Sequence, residues 1–146
     1  MPAADAHGPI DTVVIEFPAG TAGAATADEI ARVVDAGTVA LYDVMVVAND
    51  ADGRCTEVDL TDPSAHELSA FARFADWRTD LLGDEDVEVA GGVLDPGTIG
   101  VVLVYENTWA IPAVAAILAE GGTLAATTRV TAEQVMDAFD AADAAD

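Results

Sequence analysis

Thr98-Ile99-Gly100-Val101-Val102-Leu103-Val104-Tyr105 is the stretch on which the fold turns. It carries no charge and is rich in β-branched residues, so it reads as a strand, and a strand apolar on both faces belongs inside a sheet with a neighbour on each side. Val101, Leu103 and Tyr105 point one way along it, Val102 and Val104 the other. Both faces of that sheet therefore need cover.

Downstream, the pattern predicts a helix from about Thr108 to Glu120, with Pro112 tolerated near its first turn. Gly121-Gly122 then leads to a strand over Thr123–Val130, which completes a strand, helix, strand unit. Thr131 with Gln134 forms a capping box that opens a terminal helix, expected to fray after Phe139. Upstream lie the turn Asp95-Pro96-Gly97 and a short helix over Asp84–Val93, weakened by Gly91 and Gly92. Before these, a capping box of Ser64 and Glu67 opens a helix in which Leu68, Phe71, Phe74, Trp77 and Leu81 recur at helical intervals, ended by Gly83.

The first half reads in the same way. Asp11–Phe17 is a strand closed by Pro18. Thr26 and Glu29 form a capping box for a helix to Ala36, with Gly37 at the left-handed position beyond its end. Thr38–Ala48 is the second strand, and the pair predicts parallel pairing by a right-handed crossover. Asn49-Asp50-Ala51-Asp52-Gly53 turns the chain into an antiparallel edge strand over Arg54–Leu60, where Arg54, Glu57 and Asp59 discourage pairing between molecules.

The reading that unites these elements is an α+β fold: a ferredoxin-like sandwich of two βαβ units with an inserted edge strand and helical pair, plus a C-terminal helix. One such domain spans 10–142, between a loose tail at 1–9 containing His7 and a frayed end at 143–146. Val13, Ile15 and Phe17 face one way and Val14 and Glu16 the other. Val14, Val44, Val46, Val102 and Val104 would then form a bare face, to be covered by the inserted helices, the terminal helix or a second subunit.

The 146-residue chain is 52% hydrophobic, yet carries 27 acidic side chains against 5 basic ones, for a net charge of −22. Such a surface repels phosphate backbones and anionic headgroups, which argues against nucleic acid or an acidic membrane as partner. Every basic side chain is arginine, and the absence of lysine removes Schiff-base chemistry and the P-loop lysine together. Aspartate outnumbers glutamate two to one, which fits either salt adaptation or GC-rich codon usage. Cys55 stands alone, so no intrachain disulfide or CxxC pair exists. Met1–Pro9 lacks the basic and apolar regions of a signal peptide, and the expected address is cytoplasmic.

No catalytic constellation emerges. Asp50, Asp52, Gly53 and Asp59 partly match a calcium loop, but its first ligand would be Ala48 and its flanks read as strands, so a hairpin turn is the expectation and no metal is assigned. His66-Glu67 lacks the second histidine of HExxH, and no cofactor motif is present. Glu16, Asp43 and Glu106 are the acids set in or ending apolar strands, where an unpaired carboxylate is costly. The bland alternative for them is strand-end solvation or a structural pair with Arg129 or Arg32. Glu106-Asn107-Thr108-Trp109 follows the central strand and opens a helix, where free N–H groups can receive a ligand. Glu16, Glu106, Asn107, Thr108 and Trp109 are accordingly the candidate ligand-binding residues; Asn107 or Thr108 as a simple N-cap and Trp109 as a core or interface aromatic are the alternative.

Gly8–Pro18, Asp43–Leu60 with its Asp-Ala-Asp-Gly turn, and Leu94–Ala110 with Glu106-Asn107-Thr108-Trp109 resemble an actinobacterial family of small domains of unknown function. The resemblance spans roughly Gly8–Phe139. More distant domains of this kind carry a glycine-zipper insertion suggestive of membrane association, whereas the matching segment here is Asp84-Glu85-Asp86 with only Gly91 and Gly92. The resemblance implies no activity, cofactor or catalytic residue, and favours codon usage as the source of the aspartate. The functional expectation is a non-catalytic, soluble protein acting by protein contact or by self-association as a homodimer or other homo-oligomer, or a stress-associated accessory protein. The alternative is a small-molecule or anion-binding module, or a minor enzyme, using a pocket at the end of Thr98–Tyr105.

Overall fold

A computed structural model describes residues 6–62 and 68–145 of the chain. Four strands, β1 (Ile10–Pro18), β2 (Ala40–Asn49), β3 (Cys55–Val58) and β4 (Thr98–Glu106), form one antiparallel sheet in the order β1-β4-β2-β3. β4 is central, and Ile99 to Val104 are buried along it, as an uncharged strand in that position requires. β1 and β2 each pair antiparallel with β4, so they run parallel to one another with β4 between them. The crossover through α1 (Ala24–Asp35) therefore spans a strand position instead of joining neighbours. With α2 (Asp84–Val93), α3 (Ile111–Ala119), α4 (Ala132–Ala145) and 3-10 helices at Ser69–Trp77 and Thr108–Ala110, the fold is mixed α+β.

Alternation along the strands divides the core in two. On the first face Val44, Val46, Ile99, Val101 and Leu103 pack with Ala27 of α1 and with Leu68, Phe71 and Phe74. The last three recur every third residue, which is the period of the 3-10 helix that Phe71 and Phe74 occupy and that Leu68 precedes as its left-handed N-cap residue. On the second face Met45, Val47, Val102 and Val104 pack with Leu82, Ala90 and Leu94 from and around α2. The bare face expected from simple alternation therefore needs correction. Val44 and Val46 lie opposite Leu103 and Val101, on the first face, because a bulge between Leu41 and Asp43 shifts the register by one residue.

Several boundaries also differ from expectation. Thr123–Val130 forms no strand: its side chains are almost all exposed, and threonine's β-propensity counts only where the chain has a pleated surface to pack on. The second βαβ unit is thus absent. α1 starts ahead of Thr26, capped by Gly23 in the left-handed conformation, and Glu29 pairs with Arg32 at 2.8 Å instead of closing a capping box. Gly37 does end α1, with the N–H groups of Gly37 and Thr38 returning to Val34 and Val33. Gly83 opens α2 and does not close the preceding helix; its N–H is held by Asp86 Oδ2 at 2.8 Å. The Thr131–Gln134 box forms as expected, but α4 runs on to Ala145 without fraying at Phe139. The expected box of Ser64 and Glu67, and His66, lie outside the described residues.

Two adjacent glycines in α2 separate packing from propensity. A Cβ on Gly91 would sit 2.9 Å from Cys55 Cβ, where the helix crosses β3, whereas nothing lies within 4 Å of one on Gly92. Gly92→Ala is expected to stabilise the protein by about 0.5–1 kcal/mol through helix propensity. Gly91→Ala should reverse that sign, costing about 1–3 kcal/mol by overpacking. Urea melts of the two variants check it; equal behaviour would mean that α2 does not rest on β3.

α3 and α4 stand apart from both cores. α3 is uncharged and almost wholly apolar but has no buried residue, and α4 has none either. Leu118 is 45% exposed and Phe139 59%, an unusual disposition for large apolar side chains on helices.

Candidate functional site

The bulge in β2 turns both Tyr42 and Asp43 onto the second face, where Tyr42 meets the buried Glu106 and Asp43 meets the half-buried Arg78. Asp43 is fully buried and accepts four hydrogen bonds: from the N–H of Val44 and of Thr79 at 2.9 Å, from the N–H of Leu82 at 2.7 Å and from Arg78 at 2.9 Å. Arg78 is also held by Glu57 at 2.8 Å, and the Glu57 and Asp43 carboxylates keep its guanidinium charged at any accessible pH. The chain passes at this point from the first face, where the long 3-10 helix lies, to the second, where α2 lies. Asp43 is the post around which that crossing is wound, and the Thr79 hydroxyl adds a bond to the Tyr42 carbonyl that the bulge exposes.

Glu106 ends β4 with its carboxylate buried. It accepts the Tyr42 hydroxyl on one oxygen and the Gly8 N–H, at 2.8 Å, on the other, with His7 Nδ1 4.0 Å away. The Tyr42 hydroxyl first, and the Gly8 N–H next, hold this carboxyl below its ordinary value, while Glu106 pushes the Tyr42 phenol up. Gly8 packs against the Asn107 carbonyl so closely that a Cβ there would come within 2.0 Å of it. The described part of the N-terminal segment, expected to be loose, is therefore strapped across the end of β4, with Asn107 N–H bonded to the Pro9 carbonyl at 2.8 Å.

Asn107, Thr108 and Trp109 stand together at this end of the sheet. Asn107 Nδ2 donates to the Pro9 carbonyl and to Asp11, its Oδ1 accepts from Trp109 Nε1, and Thr108 Oγ1 donates to the Gly37 carbonyl at 2.7 Å. These groups knot three segments of chain, and neither Asn107 nor Thr108 caps the helix after β4 through its side chain. Glu16 does not join them. It lies opposite Gly100 whereas Glu106 lies opposite Ile10, so about 20 Å of strand separates the two acids at 3.3–3.4 Å per residue. Glu16 instead accepts the Asp95 N–H at 2.7 Å and braces the turn before β4.

The acids thus pair within the molecule, though not with the arginines expected of them. Arg129 reaches Asp11 and Arg32 reaches Glu29. The partners that sequence reasoning missed are Tyr42, Arg78 and Gly8. Periodicity could not reveal Tyr42, which is the extra residue of a bulge, nor Arg78, which lies 35 residues from Asp43. Asp50 closes the β2–β3 hairpin by accepting the N–H groups of Asp52 and Arg54, which uses the carboxylate a calcium loop would need. Among the described residues no three His, Cys, Asp or Glu side chains are grouped to hold a metal ion. Burial raises the Cys55 thiol above its ordinary value, away from the thiolate form that would react.

Two concavities flank Trp109, whose side chain is 65% exposed. One, of about 450 Å³, is polar and is lined by Pro9, Asp11, Asn107, Trp109 and residues 127–130, including Arg129. The other, of about 400 Å³, is apolar and lies between α1 and the first face of β1 and β4. The site and fold together define a small mixed α+β domain in which the buried Asp43 and Glu106 carboxylates are hydrogen-bonded within the chain, and in which an apolar concavity opens beside Trp109 on an otherwise acidic surface. No family model, curated protein or solved structure matches the chain.

Proposed function

We propose that this protein is non-catalytic and acts by protein contact, chiefly by associating with itself. The observation that carries the reading is that α3 and α4 display Leu118, Val135, Met136 and Phe139 and that neither helix has a buried residue in the single chain. Isolated helices as short as α3 are marginal in water, so α3 needs a packing surface that one copy does not supply. A cytoplasmic, stress-associated role and membership of the actinobacterial family of unknown function belong to the same proposal, the latter resting on the Glu106-Asn107-Thr108-Trp109 segment and the Asp-Ala-Asp-Gly turn. A broader kinship with ferredoxin-like sandwiches rests on the four-stranded antiparallel sheet and its two split crossovers, β1 to β2 around β4 and β3 to β4 around β2, and not on the strand order, which places the last strand inside the sheet.

The absence of partners such as nucleic acid or an acidic membrane follows from the charge of −22, and among the described residues no helix is long and apolar enough to cross a membrane. A ligand-binding role remains the second reading, at the polar cleft beside Trp109. It is disfavoured because Asp11, Asn107 and Arg129 already bond to one another or to neighbouring chain.

Light scattering at micromolar concentration tests the reading. A mass of two or more chains is expected. Because each copy carries −22, association should tighten as salt rises from about 0.05 to 0.5 M, the reverse of an ion-paired interface. A monomer throughout the concentration and salt range would refute self-association.

A further inference from the structure

The self-association reading leaves open which surfaces meet, and two features of the fold fit each other. The first is the apolar groove, bounded by Ile30, Val33 and Val34 of α1 and by Val13 and Ile15 of β1, with Trp109 at one end. Among the described residues no Asp, Glu, Arg or His lines it, although 22% of the chain is charged. Val13, Ile15, Ile30, Val33 and Val34 are only half-buried along it, so the first core is unfinished on this side. The second is α3, the one helix of eight or more described residues without an ionisable side chain. Ile111, Val114 and Leu118 stand on it at i, i+3 and i+7, a single apolar stripe.

Charge selects the match. Two copies that each carry −22 can approach closely only where neither presents acid, and the groove and α3 are two such surfaces. Position selects the symmetry. α3 begins two residues beyond Trp109, so groove and helix adjoin on one side of the molecule, and a patch holding both a socket and its plug can pair with itself about a twofold axis. The chain's own α3 is not the occupant: its root is fixed by the Trp109 N–H to the Thr38 carbonyl at 3.2 Å and by Thr108 to Gly37, and no residue of α3 lines the groove.

We infer that α3 of a second copy lies in the groove between α1 and β1, and that two copies make this exchange reciprocally. The inference rests on the self-association reading and goes further by naming the contact and limiting the assembly to two.

The test uses full-length chains in a Cys55→Ala background, one carrying Val33→Cys on α1 and the other Leu118→Cys on α3, mixed and mildly oxidised. A disulfide joining one chain of each kind is expected. A dimeric mass with no mixed link would overturn the groove contact while leaving self-association standing; a monomeric mass would overturn both. Placing both cysteines on a single chain at high dilution adds a control, since an intrachain link there would mean that α3 folds onto its own groove. Leu118→Asp should weaken the dimer at least tenfold with an unchanged circular dichroism spectrum, because Leu118 is 45% exposed in the single chain. Wild-type association by a folded Leu118→Asp protein would also overturn the inference.

Discussion

Asp43→Ala is expected to cost about 3–5 kcal/mol of folding stability, the range found when a buried, hydrogen-bonded charge loses its partner. The substitution removes the acceptor of four bonds at once and strands the buried N–H of Leu82 together with those of Val44 and Thr79. For a domain of this size the loss corresponds to roughly 10–15 °C in melting temperature. Arg78→Ala should cost less, since Asp43 keeps three backbone donors and Glu57 is partly solvated. Denaturant melts at fixed protein concentration and salt would measure both, because association adds its own stabilisation. An Asp43→Ala protein within about 1 kcal/mol of wild type would mean that the passage between the two faces is not anchored there.

Glu106→Gln is expected to lower stability by about 2–3 kcal/mol at neutral pH, since the amide offers a donor where Gly8 N–H and the Tyr42 hydroxyl both seek an acceptor. The pH dependence gives the sharper signature. The folded carboxyl lies below its ordinary value of 4.5, so its contribution is complete above about that pH and fades as pH falls through the lower folded value. The Tyr42 phenol lies above its ordinary value of 10.0, so its contribution is complete below that pH and is lost only as pH rises through the raised folded value. The gap between wild type and Glu106→Gln should therefore be present at neutral pH and close as pH falls below the ordinary carboxyl value of 4.5 and through the lower folded one. A gap that widened on acidification would contradict a strap held by the ionised carboxylate.

Much of the sheet could be read before the structure was known. Thr98–Tyr105 read as central because it is uncharged and nearly all apolar on both faces, and the Asp50–Gly53 turn read as a hairpin because Asp52-Gly53 can adopt the positive φ that a tight turn needs, as Gly53 does at φ 83°. What could not be read was the bulge at Leu41–Asp43, since one extra residue leaves the hydrophobic pattern intact while moving Val44 and Val46 to the other face. Thr123–Val130 failed for a related reason: β-branched residues mark a strand only when an edge is available to receive it. At the candidate site, Glu106 through Trp109 were recognisable as a unit because a charged and polar run breaks off a buried strand. Their partners were not, because Gly8, Gly37 and Tyr42 come from distant parts of the chain and are joined to them only by the fold.

Hydrogen exchange of the α3 amides, followed at protein concentrations above and below the association midpoint, bears most directly on a helix that completes its packing in a second copy. Protection of Ile111–Ala119 should rise with concentration, together with that of α1, and vanish in the monomer. Fast exchange in α3 at every concentration, or full protection in a proven monomer, would contradict it.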